Sequence, residues 1–295
     1  MTPPLLLSAY GSAIDLQIPF DRTSPLTRER TDVVSELASW LVEDAAGAPY
    51  TPPTDEASSG RLITRLLTLR PPRPIPPGAQ SLLDQWYARA AASRPVRSLD
   101  DVVASARAQM ASGQTRLHLW RGDITTLAAD AIVNAANSAL LGCFRPGHAC
   151  IDNAIHSVAG PRLREDCHRI IEHQGHPEPT GAAKVTRAYY LPSRFVLHTV
   201  GPIVPDARPT GEQQMQLADC YESCLNVAAE LGLRSVVFCA ISTGVFGYPK
   251  DEAACIAVDT VRAWSARHTC TVEDVVFDVF SESDEAAYIG PGRFA

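Results

Sequence analysis

Lysine is nearly missing from this chain. Of its 26 basic residues only Lys184 and Lys250 are lysines, so arginine carries almost all the positive charge. No GxxxxGK[ST] loop occurs, which argues against a P-loop nucleotidase and leaves any phosphate to backbone amides or arginine. Positive charge is also outnumbered: 33 acidic residues give a net charge of −7. No nucleic-acid partner is expected from such a balance. No uncharged apolar run approaches the ~20 residues that a membrane span needs, so no membrane partner is expected. No cationic segment precedes an apolar one near the start, so a secretory signal is not expected either. The eight cysteines are scattered rather than framed. That usage fits a reducing, cytoplasmic setting in which thiols stay available as ligands. An apolar fraction of 45% is enough for a substantial core.

What is there divides near residue 100. Residues 1–100 hold 13 of the 23 prolines, and proline breaks helices and stiffens connectors. Short helices are predicted over 33–43, with Asp32 as N-cap, and over 61–70 and 81–92. Residues 47–60 read as a polar loop, and the PPRPIPP run at 71–77 as a stiff linker rather than a docking motif. The segment is predicted to be a helical N-terminal extension whose apolar stripes pack on the rest. Trp40 and Trp86 leave open a docking surface for a partner or substrate.

Residues 101–295 alternate strand and helix, as in an α/β domain. A helix is predicted over 99–110 with Ser98 as N-cap. Strands are predicted over 115–120, 131–134, 184–190, 195–200, 235–240 and 274–280. Helices are predicted over 151–159, 161–174, 212–231, 250–267 and 284–288. That makes a mixed sheet of about six strands with helices on both faces. No feature sets an oligomeric state.

Residues 121–160 concentrate the chemistry. Asp123 stands where a strand gives way to a loop, the place where α/β folds bind ligands. Its carboxylate can accept from an exocyclic amine or simply cap a turn. Asn134 and Asn137 close an apolar strand, and the pair points to ligand contact because asparagine both donates and accepts. Cys143, His148 and Cys150 lie within eight residues. Thiolate and imidazole are zinc ligands, and three protein ligands with one open position is the catalytic arrangement. Two core cysteines and a loop histidine is the plainer reading. Asp152 is either a helix cap or a carboxylate facing that loop. His156 reads as packed or solvated, and His198 as a satisfied core histidine. A second loop, Ser242-Thr243-Gly244-Val245-Phe246-Gly247, follows a buried strand, and its strung amides can form an anion nest.

In order along the chain stand GDIT at 122–125, IVNAAN at 132–137, IDNAIHSVAG at 151–160, HTVGP at 198–202 and CAISTGVFGYP at 239–249. With these motifs the chain resembles a macrodomain, the ADP-ribose-binding fold, over roughly residues 100–290. The resemblance implies a three-layer α-β-α fold. Most macrodomains carry a glycine-rich loop before the aspartate. Here that loop is GCFRPGHAC, which resembles the zinc-containing branch that reverses protein mono-ADP-ribosylation. Similar helical extensions precede sirtuin-linked bacterial members of that branch.

By resemblance, Cys143, His148 and Cys150 would hold Zn2+, with the distal ribose or a water in the open position. Asp123, between Gly122 and Ile124, would hold the adenine amine. Gly142 and the 243–247 loop would cradle the pyrophosphate, with Phe246 beside the distal ribose. Asn134 would contact ligand, Asn137 would orient the ribose, and Asp152 would orient the loop or act as base. The expected function is a zinc-dependent hydrolase that removes mono-ADP-ribose from protein side chains. The alternatives are a non-catalytic ADP-ribose reader and a structural protein with a closed zinc site.

Overall fold

Proline punctuation and apolar stripes shape the first hundred residues as their pattern predicts. The computed structural model describes residues 3–23, 26–45, 53, 55–268, 271–290 and 293–294. A short helix α1 (Leu7–Tyr10) runs into a 3-10 turn over Gly11–Ile14. Helix α2 (Arg30–Asp44) buries Val33, Val34, Leu37, Ala38 and Leu41. Glu29, not the predicted Asp32, holds its N-cap position, and Asp32 lies in the first turn, where an acid complements the helix dipole. Helix α3 (Glu56–Leu69) begins inside the stretch predicted as loop, because Asp55 caps it by accepting from the Ser58 amide at 2.8 Å. Residues 47–52 and 54 of that stretch lie outside the described residues. Helix α4 (Pro77–Ser93) has proline in its first turn, where the missing N–H costs nothing.

The chain then enters the α/β region. Strand β1 (Arg97–Ser98) leads to α5 (Leu99–Ala104), where Ser98 and Asp101 form a reciprocal capping box. The helix predicted to reach residue 110 stops at Ala104, and strand β2 (Ala108–Ser112) takes its place. The Ser105 hydroxyl donates back to the Asp101 carbonyl at 2.6 Å. The Arg107 amide then turns to the Leu119 carbonyl at 2.7 Å. Strand β3 (Thr115–Arg121) pairs with β2 antiparallel, Ser112 opposite Thr115. The intervening Gly113 takes φ +59°, the left-handed backbone that a two-residue hairpin turn requires at its first position.

A 3-10 turn over Ile124–Thr126 precedes β4 (Leu127–Ala128), which pairs with β1, and β5 (Ala131–Ala135). Next come α6 (Ile151–Ala159), α7 (Pro161–Gln174), β6 (Ala183–Arg187), β7 (Phe195–Thr199) and α8 (Gly211–Glu230). The chain continues with β8 (Ser235–Phe238), α9 (Lys250–Arg267), β9 (Asp274–Val279) and α10 (Glu282–Ile289). The main sheet has seven strands in the order β2-β3-β9-β8-β5-β7-β6, one more than predicted because of β2. The five inner strands are parallel, and β2 and β6 close the edges antiparallel. The result is an α/β macrodomain-type sheet between helices, with additional helices from the first hundred residues.

One apolar cluster joins Leu37, Leu41, Ile63 and Leu83 to Val133, Leu197, Val237 and Phe277. The extension therefore shares its core with the sheet rather than building its own. Polar ties reinforce the contact. The Val185 amide on edge strand β6 donates to the Tyr10 hydroxyl at 2.9 Å, which covers an otherwise open ladder group. Arg162 on α7 donates to both oxygens of Asp84 on α4 at 2.7 and 2.8 Å. Among the described residues no helix is long and apolar enough to cross a membrane.

Candidate active site

Parallel strands bring their carboxyl ends to one side of the sheet, and loops that leave a common edge must surround a common hollow. Here β3, β5, β8 and β9 deliver residues 122–124, 135–137, 239–246 and 278–280 around a cleft of about 720 Å³. The loop 142–150 and the start of α6 form its remaining wall. Gly122, Asp123, Ile124, Asn137, Gly142, Cys143, His148, Cys150, Asp152, Ser242, Thr243, Gly244, Val245 and Phe246 all line it. Nearly every site residue read from the sequence is thus assembled in one place.

Asp123 caps a turn and also stands on the cleft wall. Its Oδ1 accepts from the Thr125 amide and hydroxyl at 2.9 and 2.7 Å and so caps the following turn. The carboxylate nevertheless borders the cleft. Asp152 is not the cap of α6, because the Cys150 sulfur holds that position by accepting from the Asn153 amide at 3.4 Å. Asp152 instead lies buried against two asparagines. Asn134 Nδ2 donates to its Oδ1 at 2.8 Å, and Asn137 Nδ2 donates to its Oδ2 at 3.2 Å. Burial pushes the Asp152 carboxyl up to about 6, while Asn134, Arg164 and Asn137 pull it back.

Asn137 also donates to the Gly142 carbonyl at 3.0 Å and accepts from the Ala139 amide at 3.0 Å. It therefore pins the loop and Asp152 to each other. Gly142 itself has φ +77°, and a side chain there would meet the His156 ring at 2.8 Å. Only glycine lets the loop backbone lie this close over α6.

Two sequence expectations need correction. Asn134 is fully buried and does not border the cleft. It is a strut, donating to Asp152 and to His198 Nδ1, the latter at 3.2 Å. Gly247 does not offer its amide to a ligand either. That N–H donates to the Gly244 carbonyl at 3.1 Å, and the Tyr248 N–H to the Ser242 carbonyl at 3.0 Å. These bonds close the loop on itself. Among the described residues the amides of Thr243, Gly244, Val245 and Phe246 find no acceptor, which leaves four consecutive donors for an anion.

The donor atoms of Cys143, His148 and Cys150 lie within 4.8 Å of one another, with Cys143 Sγ 3.6 Å from His148 Nδ1. Tetrahedral zinc with bonds of 2.0–2.3 Å sets its ligand atoms about 3.6 Å apart. The trio thus fits zinc in both donor type and spacing. No fourth histidine, cysteine or carboxylate joins the group among the described residues, and all three residues line the cleft. Burial pushes the Cys150 thiol up to about 11, with Cys143 beside it adding to the rise.

A second trio, His156, Cys167 and His198, is equally close-set but wholly buried. Here His198 Nδ1 faces the Asn134 amide and Nε2 faces the Thr186 hydroxyl at 3.0 Å. With both nitrogens engaged, His198 is the satisfied core histidine that its strand position predicts. Burial holds its imidazole down at about 3, against an ordinary value near 6.5. Between those two values the unfolded chain binds a proton that the folded chain refuses. Stability is then complete above pH 6.5 and falls as pH drops through the window toward 3. We expect a loss of up to about 1.4 kcal/mol per pH unit from this one group. In denaturant titrations from pH 4 to 6, His198→Asn should show a correspondingly shallower slope than the parent. Equal slopes would refute this.

Sequence reasoning missed several lining residues, Lys250 and Asp284 among them. Phe144 and Arg145 sit on the metal-type loop itself, and Phe280 directly follows β9. Asp278, also on β9, is buried, and its Oδ1 has no partner. Burial drives its carboxyl well above the usual range, and Asp123 adds to this.

Comparison with known proteins agrees with this geometry. The Macro domain family model matches residues 133–257. A protein of Treponema medium named protein-ADP-ribose hydrolase is 46% identical over 80% of this chain and 88% of its own length. A Fusarium oxysporum f. sp. cubense protein named probable bifunctional ADP-ribose hydrolase/ADP-ribosyltransferase is 40% identical over 91% of this chain, which spans 48% of that protein. Among solved structures, the Trypanosoma brucei macrodomain in complex with ADP-ribose is 34% identical. It aligns over 76% of this chain and 93% of its own, with a TM-score of 0.57.

Proposed function

Because this chain belongs to the macrodomain family, we propose that it is a hydrolase that releases ADP-ribose from mono-ADP-ribosylated protein, and that it depends on zinc. The observation that carries the reading is the pairing of Asp152 with Asn137 on the cleft wall that also holds Cys143, His148 and Cys150. A pocket that only binds ADP-ribose has no use for a buried carboxylate beside an open three-ligand metal site.

In this reading the ligand lies along the cleft. Asp123 accepts from the adenine amine, and the amides of 243–246 with Gly142 cradle the pyrophosphate. Asn137, fixed by Gly142 and Asp152, orients the distal ribose. Zinc on Cys143, His148 and Cys150 would supply Lewis acidity at that ribose or to a water. Hydrolysis adds water across the bond between the ribose and the modified side chain. Asp152 takes the proton from that water and passes it to the departing side chain. The free thiols of Cys143 and Cys150 support a reducing, cytoplasmic setting as part of the same reading.

The test is ADP-ribose release from a mono-ADP-ribosylated protein by the purified enzyme, after zinc removal, and after its restoration. Release should stop without zinc and return with it, while circular dichroism stays unchanged. Tight ADP-ribose binding with no release on several linkages would leave the alternative, a reader with a metal-shaped pocket.

A further inference from the structure

Five acids are buried among the described residues: Asp152, Asp166, Glu178, Asp274 and Asp278. Four have partners that account for them. Asn134 and Asn137 answer Asp152. The Tyr189 hydroxyl answers Asp166, and Lys184 answers Glu178 at 2.7 Å. Arg116 and His118 answer Asp274 at 2.6–2.8 Å. Asp278 is the exception. It is 6% exposed, and its Oδ1 has no partner. The backbone donor beside it is the Gly122 amide, already held by the Val279 carbonyl at 3.1 Å. A buried polar atom without a partner is costly. One that also lines a ligand cleft is a hydrogen-bonding group turned to the ligand.

The fold places this group near Asp123. Strands β3 and β9 run parallel, with Trp120 opposite Asp278 and Arg121 opposite Val279. The chain then leaves β3 as Gly122-Asp123-Ile124, which lines the cleft together with Asp278. A side chain at Gly122 would meet the Trp120 ring at 2.0 Å, so the wall here stays bare backbone. Asp123 spends Oδ1 on the Thr125 amide and hydroxyl, which leaves its Oδ2. Each acid thus keeps one oxygen uncommitted at the same end of the cleft.

Neighbouring acids resist charging together. Burial drives the Asp278 carboxyl well above its ordinary range, and Asp123 adds to the rise. Asp278 is the one that keeps its proton, so the pair offers one acceptor and one donor. Other groups facing Asp278 leave this arrangement intact. Asp284 and Tyr288 face it from α10, and Cys239 from just after β8. Burial pushes the Cys239 thiol up to about 12 and the Tyr288 phenol up as well, so both stay neutral. Lys250 lines the cleft but is paired with Asp284 at 2.6 Å. Adenine presents the complement of such a pair: an amine that donates, next to a ring nitrogen that accepts.

We propose that Asp278 reads the base together with Asp123, donating a hydrogen bond to a ring nitrogen of adenine while Asp123 accepts from the amine. The proposal rests on the ADP-ribose reading of the cleft and adds a selectivity to it. Hypoxanthine, with an oxygen in place of the amine, is refused.

The test measures Kd by calorimetry on the full-length zinc-loaded protein, for ADP-ribose and for its analogue with hypoxanthine in place of adenine. ADP-ribose should bind roughly 10²-fold tighter, because the analogue leaves buried polar groups unpaired. Asp278→Val removes the donor and should weaken ADP-ribose binding roughly tenfold. Asp278→Asn keeps a donor and should recover most of that loss. A second readout separates base reading from packing. Raising the pH takes the proton from Asp278, so the parent's affinity for ADP-ribose should fall as pH rises, whereas that of the asparagine variant stays level. Equal affinity of the parent for both ligands would overturn the role of Asp278. So would a valine variant that binds ADP-ribose as the parent does, or parallel pH profiles for the parent and the asparagine variant. A parent that binds neither ligand would overturn the ADP-ribose reading, and this role with it.

Discussion

Replacing Asp152 with alanine should lower ADP-ribose release by roughly 10²–10⁴-fold, the range that a positioned acid–base group supplies. The cause is local. The Asp152 carboxyl accepts from Asn134 on one oxygen and from Asn137 on the other, so its place in the cleft is fixed from both sides. Alanine removes the group that can take a proton and also frees Asn137, which still holds the Gly142 carbonyl. The buried Asn134 amide and the half-buried Asn137 amide then lose an acceptor, at a cost of about 1–3 kcal/mol in stability. Unfolding must therefore be followed beside activity. Asn137→Ala should weaken turnover less, because it disturbs the orientation of the loop and ribose but leaves the carboxylate. A folded Asp152→Ala protein that releases ADP-ribose at the parent rate would remove Asp152 from the chemistry.

The legible part of this site is the part built from neighbours in sequence. Cys143, His148 and Cys150 fall within eight residues, so one loop suffices to bring their donor atoms together. Asp123 and the 242–246 loop are legible for a different reason: each ends a strand pattern, and parallel strands end on one side. Asn134 misled because strand ends alternate in direction. Its side chain turns down to His198 and Asp152 rather than up into the cleft. Asp278 and Phe280 carry no local signal linking them to Asp123. That link is the register of β3 with β9, Trp120 opposite Asp278 and Arg121 opposite Val279, a pairing between segments far apart along the chain.

The same distinction explains the fold. Helices α6, α7, α8 and α9 follow their apolar periodicity closely, and α9 spans 250–267 as predicted. Strand β2 was hidden behind the capped helix before it, although Ser112-Gly113-Gln114-Thr115 holds the glycine of a two-residue turn. The extension's stripes predicted that it would pack, and Leu37, Leu41, Ile63 and Leu83 do so. What they packed on depended on groups that looked unremarkable in sequence, such as Arg164 in the middle of α7.

Arg164→Met should be strongly destabilising, at about 3–5 kcal/mol, because several carbonyls each lose a donor at about 1–3 kcal/mol apiece. Methionine fills the volume and supplies no donors. The carbonyls of Leu67, Thr68 and Arg70 are the free end of α3, and Arg164 answers all three. The Leu141 carbonyl, on the opposite side of the guanidinium, loses its donor too. Arg164→Lys should rescue little, since one ammonium cannot reach both sides as the planar fork does. Urea unfolding reads the stability, and zinc retention on dialysis reads the loop. Both variants should lose zinc faster than the parent, because the loop that carries Cys143 and His148 is anchored through Leu141 and Phe144. A methionine variant as stable as the parent would mean that water satisfies these carbonyls. The extension would then be joined to the site by its apolar core alone.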